Sequence, residues 1–284
     1  MQNNVQKILS ETTIIICGIV RNAERGLKRN IPTINRLCER FGNYHIIMVE
    51  NDSTDNTKEI LQQWAKSQKN IHILLNDYHT TTIPDKKEVT ANPFFSRKRI
   101  EKMAQYRNIY LDYIAQNVLR GDYIMVVDLD VYSIDLEGVI SSFTTTCEWD
   151  AVTANGYSRS FSSRFRKRYH DAYALTELGM ELVPQTEETI NLARYKWAFI
   201  KRKSSFIPVF SAFGGLAIYR YEALNNIRYE VLKNDDVRVE VRCEHFSLYK
   251  QMSAAGFNKV FINPDMRIKY QTQIINTLRR WLKF

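Results

Sequence analysis

A single α/β domain on a mainly parallel sheet, with helices on both faces, is the fold predicted for this 284-residue chain. Two observations predict it. The first part of the chain alternates apolar, β-branched runs with segments of helical spacing, and the runs are continuously apolar, as in parallel strands covered on both faces. Composition agrees: 44% hydrophobic and 12% aromatic residues exclude disorder, and 10 Gly with 6 Pro exclude a collagenous or linker-rich chain. No internal repeat and no Ser/Gly linker divides it.

The elements follow in order. Thr13–Ile19 reads as the first strand, and Glu24–Phe41 as a helix despite Pro32. Tyr44–Val49 is the second strand, and Asn51-Asp52-Ser53-Thr54-Asp55 is a loop feeding a helix from Asp55 to Ser67. Ile71–Leu75 is the third strand, Arg97–Val118 a long helix, and Tyr123–Val127 the fourth strand. His79-Thr80-Thr81-Thr82 forms a polar insertion between them. Beyond this, Trp149–Ala154 reads as a strand, whereas Tyr157–Lys203 is polar and aromatic with no clear strand. Phe206–Arg220 contains Phe213-Gly214-Gly215-Leu216, Glu244–Ala255 has helical spacing, and Val260 to Pro264 is a final strand and turn.

Charge is unevenly placed. The net +9 arises from 40 Lys and Arg against 31 Asp and Glu. Residues 158–203 hold ten bases against five acids, and residues 267–284 hold five bases and no acid. The rest of the chain is close to neutral, so the basic excess belongs to two segments that suit phosphates, an anionic acceptor or an anionic membrane. Nucleic acid is disfavoured, because no helix-turn-helix, zinc-finger, RNP or KH signature is present. In the tail, Ile274, Ile275, Leu278, Trp281 and Leu282 share one helical face beside Arg279, Arg280 and Lys283. Such a helix lies on an anionic membrane or docks on the core. Cys17, Cys38, Cys147 and Cys243 show no metal spacing, and the longest apolar run, Ile14–Val20, is far too short to span a bilayer. A cytoplasmic protein with free thiols, peripheral on the inner face of the membrane, is the expectation.

Asp128-Leu129-Asp130 carries the chemistry. It ends the fourth strand, and ligands of open parallel sheets bind outside the carboxyl ends of strands. Two carboxylates there suit Mg²⁺ or Mn²⁺, which bridges carboxylates to substrate phosphates, although paired loop acids are also common. Glu50 and Asn51 end the second strand, where polar groups can read a base or ribose. In the long helix, an apolar stripe of Ile100, Met103, Ala104, Leu111, Ile114 and Ala115 is interrupted by Arg107. An inward Arg must be paired, either with a diphosphate or in a buried salt bridge. Glu244 opens a helix near the cleft, as a base or acceptor ligand or as ordinary dipole complementation. His245 is a third metal ligand or a packed histidine.

In order along the chain, these residues resemble the GT-A glycosyltransferases, whose fold is Rossmann-like. Val20-Arg21-Asn22-Ala23-Glu24 is similar to the family's first-strand loop. Val49 to Thr57 resembles its V-D-D-G-S-T-D-G-T nucleotide loop, with Glu50-Asn51-Asp52 in place of D-D-G. Arg107-Asn108, Gly121-Asp122-Tyr123-Ile124 and Asp128-Leu129-Asp130 resemble its R-N, G-D-Y-I and D-x-D run. A narrower likeness is to the fungal capsule-associated and Golgi α-mannosyltransferases. It rests on Glu50 to Asp55, Tyr169-His170-Asp171-Ala172-Tyr173-Ala174-Leu175, Phe213 to Ala217, Cys243-Glu244-His245, and Ile262-Asn263-Pro264-Asp265-Met266-Arg267. The membrane anchor usual in the fungal enzymes is not seen, which points to an enzyme of bacterial type on the cytoplasmic face.

The resemblance implies metal-dependent transfer of a sugar, with mannose favoured, from a UDP- or GDP-sugar to a hydroxyl of a glycan or lipid-linked glycan. It implies a nucleotide-sugar half at 12–130, an acceptor half at 131–266 with a basic insertion at 158–203, and a basic amphipathic tail at 267–284. Asp128, Asp130 and His245 would hold Mn²⁺ or Mg²⁺. Arg21, Glu50, Asn51, Arg107, Asp128, Gly214 and Gly215 would hold the nucleotide-sugar, and Glu244 and Asp130 would act in catalysis. The alternative is a catalytically silent carbohydrate- or nucleotide-sugar-binding protein of the same fold. A sugar-nucleotide pyrophosphorylase is disfavoured, since Cys17-Gly18-Ile19-Val20-Arg21 lacks a Gly-rich phosphate loop.

Overall fold

The computed structural model of the chain describes residues 2–159 and 165–270. Its strands, in chain order, are β1 (Thr13–Val20), β2 (Asn43–Asn51), β3 (Ile71–Asn76), β4 (Tyr123–Val127), β5 (Ser133–Ile134), β6 (Ala151–Arg159), β7 (Lys167–Tyr169), β8 (Ile207–Pro208), β9 (Leu216–Arg220) and β10 (Val260–Lys269). The helices are α1 (Gln2–Ser10), α2 (Glu24–Cys38), α3 (Thr57–Ser67), α4 (Arg97–Gln116), α5 (Leu136–Ser141), α6 (Glu187–Lys196) and α7 (Glu244–Ala254). The strands form one sheet in the order β3-β2-β1-β4-β9-β6-β10-β5, with β7 on β6 and β8 on β10. β3, β2, β1 and β4 are mutually parallel, as are β6 and β10, while β9 runs antiparallel between β4 and β6.

The continuous apolar runs are explained by burial on both sides. Along β1, Ile14 and Ile16 pack with Leu27 and Ile34 of α2 and with Leu61 and Trp64 of α3. Ile15 and Cys17 point the other way, into the core made by Ile100, Tyr110 and Leu111 of α4 and Leu248 of α7. Each central strand therefore feeds two cores, and neither face needs polar residues.

The second half departs from the sequence reading. The segment read as lacking a strand carries the end of β6, all of β7, and α6, which starts at a Thr186–Thr189 capping box. β10 does not stop at Pro264. It runs on to Lys269 across a register irregularity between Asn263 and Arg267, where proline is tolerated. Arg267 and Lys269 therefore belong to the sheet rather than to the tail, whose apolar face from Ile274 to Leu282 lies outside the described residues. α1 had no counterpart in the sequence reading. Among the described residues, no helix is long and apolar enough to cross a membrane.

Two contacts fix the parts that matter most. Asn30 of α2 donates through Nδ2 to the carbonyls of Leu129 (2.9 Å) and Val131 (2.8 Å), holding the loop that carries Asp128 and Asp130. Close beside it, a Cβ on Gly26 would stand 2.4 Å from the Leu129 carbonyl oxygen, so only glycine lets α2 approach this loop. On the opposite face, Arg107 Nε of α4 donates to Glu244 Oε1 of α7 at 3.0 Å, with side chains 3% and 4% exposed. The salt-bridge alternative for the inward Arg is the one realised. Burial opposes the Glu244 charge, but His245, Arg107 and Arg99 outweigh it and hold the carboxyl down to about 2. Burial and Arg107 bring His245 down to about 3, so at neutral pH the two guanidiniums are the charges that count.

Asn30→Ala leaves two buried carbonyls without their donor, and we expect a loss of about 1–3 kcal/mol in urea unfolding. An unchanged midpoint would show that Asn30 does not hold the loop. Glu244→Gln strands a charged Arg107 in the core and should cost about 3–5 kcal/mol at neutral pH. Because the folded carboxyl is depressed, the advantage of wild type over this variant is full above the ordinary value of 4.5 and fades as pH falls toward 2. Urea melts across that range test the sign, and an advantage that grows on acidification contradicts the pair.

Candidate functional site

A cavity of ≈ 310 Å³ opens at the carboxyl ends of β1, β2 and β4, where the topology of an open sheet leaves a crevice. β1 delivers Arg21, β2 delivers Asn51, and β4 delivers Asp128 and Asp130. The β1 and β2 loops are stitched together. Asn22 N donates to Ser53 Oγ (2.9 Å), Thr54 N to Asn22 Oδ1 (2.8 Å), and Ala23 N to Thr57 Oγ1 (2.8 Å). Asp52, with φ of 51°, accepts from the His79 and Thr80 backbone, and Arg21 Nη1 donates to Thr80 O (2.9 Å). The polar insertion is thereby folded into a wall of the cavity.

Asp128 is the more enclosed of the two carboxylates. Its N–H donates to Gly215 O (2.9 Å), and its Oδ2 accepts from the Tyr270 hydroxyl (2.9 Å). Asp130 reaches solvent through the cavity mouth, although protein surrounds it. Burial raises the Asp128 carboxyl, and Asp130 raises it further, against Arg107 and Tyr270. Burial likewise raises Asp130. Two carboxylates that resist ionising together are what a divalent cation relieves, so this pair fits Mg²⁺ or Mn²⁺. Among the described residues, no group of three or more His, Cys, Asp or Glu side chains is placed to hold a metal. Phosphate and water oxygens would complete such a site.

The other site residues read from sequence divide. Arg21, Asn51, Arg107, Glu244 and His245 all line the cavity. His245 is not a third ligand beside Asp128 and Asp130. It lies flat on Phe213, with ring centroids 4.0 Å apart, and its two nitrogens are buried without a hydrogen-bond partner among the described residues, Nε2 lying 3.7 Å from Glu244 Oε1. Arg107 donates to Glu244 through Nε, its Nη1 has no hydrogen-bond partner among the described residues, and its guanidinium sits over the Phe213 ring at 5.0 Å. Glu244 is in turn engaged through both oxygens, Oε1 by Arg107 and Oε2 by Cys243 Sγ at 3.4 Å.

Glu50, Gly214 and Gly215 are absent from the cavity lining. Glu50 is fully buried, and its Oε1 accepts from Ser53 N (2.8 Å), which shapes the loop. Gly215, at φ +93°, makes room for Tyr270: a Cβ there would lie 2.4 Å from the Tyr270 hydroxyl. Gly215 thus makes room for the tyrosine that orients Asp128, whereas Gly214, at φ +64°, lies against the backbone of β6, where a Cβ would stand 2.2 Å from the Ala154 carbonyl oxygen.

Among the cavity residues that escaped the sequence reading of the site are Arg99, His170, Asp171 and Tyr270. Arg99 extends from the first turn of α4, donates to Phe94 O (3.0 Å), and has no carboxylate ion partner among the described residues. His170 stacks on Tyr270 with centroids 3.4 Å apart, and burial, with Arg168 and Arg194, pushes its pKa down to about 3. Asp171 follows with φ of +56°. Burial, Glu244 and Asp128 push its carboxyl up to about 8, against Arg107 and Arg99. The only sequence signal for these residues was the Tyr169–Leu175 motif, which carried a likeness but no chemistry.

The model of the family described as cryptococcal mannosyltransferase 1 matches residues 13–248, most of the chain. No curated protein matches it in sequence. Among solved structures, the mannosyltransferase PcManGT from Pyrobaculum calidifontis, in complex with GDP-Man and Mn²⁺, is 12% identical. That match covers 91% of this chain and 56% of the other, at a TM-score of 0.47. S. aureus TarS 1-349 in complex with UDP is 13% identical, over 92% of this chain and 60% of that one, at 0.48. Glucosyl-3-phosphoglycerate synthase from Mycobacterium tuberculosis, with Mn²⁺, UDP and glucosyl-3-phosphoglycerate, is 12% identical over 98% and 79%, at 0.48. The chain thus spans less than two thirds of the first two proteins. The assignment rests on the family match, which agrees with the motifs read from the sequence: the chain belongs to the cryptococcal mannosyltransferase 1 family of glycosyltransferases.

Proposed function

We propose that this protein transfers a hexose, mannose by its family, from a nucleoside-diphosphate donor to a hydroxyl of a glycan or lipid-linked glycan. The observation that carries the proposal is the pair Asp128 and Asp130 at the carboxyl end of β4, in a cavity that also presents Arg21 and Arg99. Each residue then has a task. Asp128 and Asp130 would hold Mn²⁺ or Mg²⁺, and Tyr270 fixes the rotamer of Asp128 through its hydroxyl. When bound, the cation supplies positive charge against that developing on the leaving diphosphate.

Arg21 and Arg99 replace Arg107 as the guanidiniums facing the phosphates. Neither has a carboxylate ion partner among the described residues, and a diphosphate offers planar, charge-assisted acceptors. Asn51 stands at the end of β2 for the ribose or base. Arg107 acts one step back. It keeps Glu244 charged and pinned, which shapes the cavity floor with Phe213. The basic residues of the tail support a further part of the proposal, contact with an anionic membrane that carries the acceptor.

The test is donor turnover, read as nucleotide release across UDP- and GDP-sugars with Mn²⁺. Asp130→Ala should retain the wild-type melting temperature and lose about 100-fold or more of the turnover. Undiminished turnover in that variant removes the carboxylate pair from the reaction.

A further inference from the structure

Among the cavity carboxylates, Asp171 is set apart by what it lacks. Asp128 accepts the Tyr270 hydroxyl, and Glu244 is taken by Arg107 and Cys243. The Asp171 side chain makes no hydrogen bond and no ion pair with any described residue, yet it lines the same cavity. Its backbone explains how it gets there. His170 is locked face to face on Tyr270, and its N–H donates to Gly156 O (2.9 Å). On the other side, Ala174 N donates to Asp171 O (3.1 Å), and Tyr173 is held by its hydroxyl bond to Val241 O and by the Phe95 ring. Pinned at both ends, the chain passes through φ of +56° at Asp171, a conformation that Asp takes more readily than most residues other than glycine. The backbone thus holds in place a carboxylate that lines the cavity and makes no hydrogen bond there, which points to a ligand.

We infer that Asp171 binds a hydroxyl of a hexose, serving as the sugar-recognition carboxylate of this cavity in the place expected for Glu244. The inference rests on the glycosyl-transfer reading. A carboxyl group accepts the hydrogen bond that a sugar hydroxyl donates and, while it keeps its proton, donates to a sugar oxygen in return; a fully ionised diphosphate has no donor to offer it, and an apolar group has neither donor nor acceptor. Arg99 stands close enough to bear on the same carboxyl electrostatically and would donate to an adjacent sugar oxygen. The hexose belongs either to the donor or to the acceptor, and the two are separable.

The experiment measures GDP and GDP-mannose binding with Mn²⁺ by calorimetry, and turnover with methyl α-mannoside as acceptor, for wild type, Asp171→Asn and Asp171→Gly. If the donor sugar is the partner, both variants lose about tenfold or more of the affinity for GDP-mannose and none for GDP. If the acceptor is the partner, both ligands bind as in wild type, and KM for the mannoside rises about tenfold or more. Asp171→Gly removes the carboxylate while adopting the positive φ freely, so its melting temperature should match or exceed that of wild type. Wild-type turnover retained with unchanged binding and KM in both variants overturns the role of Asp171 alone. A wild type that neither binds nor turns over any nucleotide-sugar overturns the reading beneath it.

Discussion

The buried ion pair between Arg107 and Glu244 is the constraint on which the site is built. A guanidinium and a carboxylate withdrawn from water are costly unless they are paired, and here Arg107 Nε meets Glu244 Oε1 at 3.0 Å. The pair ties α4 to α7 across one face of the sheet, and its surroundings follow. Phe213 and Tyr229 pack their rings about the guanidinium, and His245 fills the remaining space as a neutral ring on Phe213. Glu244 is engaged by the protein through both oxygens, and Asp171 is a cavity carboxylate whose side chain makes no hydrogen bond with a described residue.

The same logic governs the other face. Asp128 and Asp130 oppose each other electrostatically, so their loop must be held against that repulsion. Three side-chain features hold it: the Asn30 amide beneath Leu129 and Val131, the bare face of Gly26, and the Tyr270 hydroxyl on Asp128. Gly215 matters because Tyr270 could not reach Asp128 past a larger residue. These supports come from α2, the turn leading into β9 and the residue that follows β10, so the cavity is assembled from both halves of the chain. The division at residue 130 describes what each half offers, not two independent units.

Much of this was legible in the sequence, for identifiable reasons. β1, β2 and β4 were readable because burial on both faces writes them as unbroken apolar runs. Asp128 and Asp130 were readable because a strand end is where such a sheet binds ligands. Arg107 was conspicuous as a charge in an apolar stripe, and both of its possible partners were foreseeable; only the fold could choose between them. What failed was long-range. Tyr270 meets Asp128 across 142 positions, and Glu244 meets Arg107 across 137. β7 and α6 lie in a stretch whose aromatic residues face several directions, so neither period 2 nor period 3.6 emerges. Gly214 and Gly215 were rightly noticed as a close approach; within the protein the approaching groups are the Ala154 carbonyl and the Tyr270 hydroxyl.

The central claim is that Asp128 and Asp130 form a metal-assisted seat for a nucleoside diphosphate. Calorimetric titration of the full chain with GDP and with UDP, in Mn²⁺ and again in excess chelator, tests it most directly. The account predicts that one of these nucleotides binds in Mn²⁺ and loses about tenfold or more of its affinity on chelation. An Asp128→Asn/Asp130→Asn variant should bind weakly in both conditions. Nucleotide affinity that is equal with and without the metal, and equal in the variant, would contradict it.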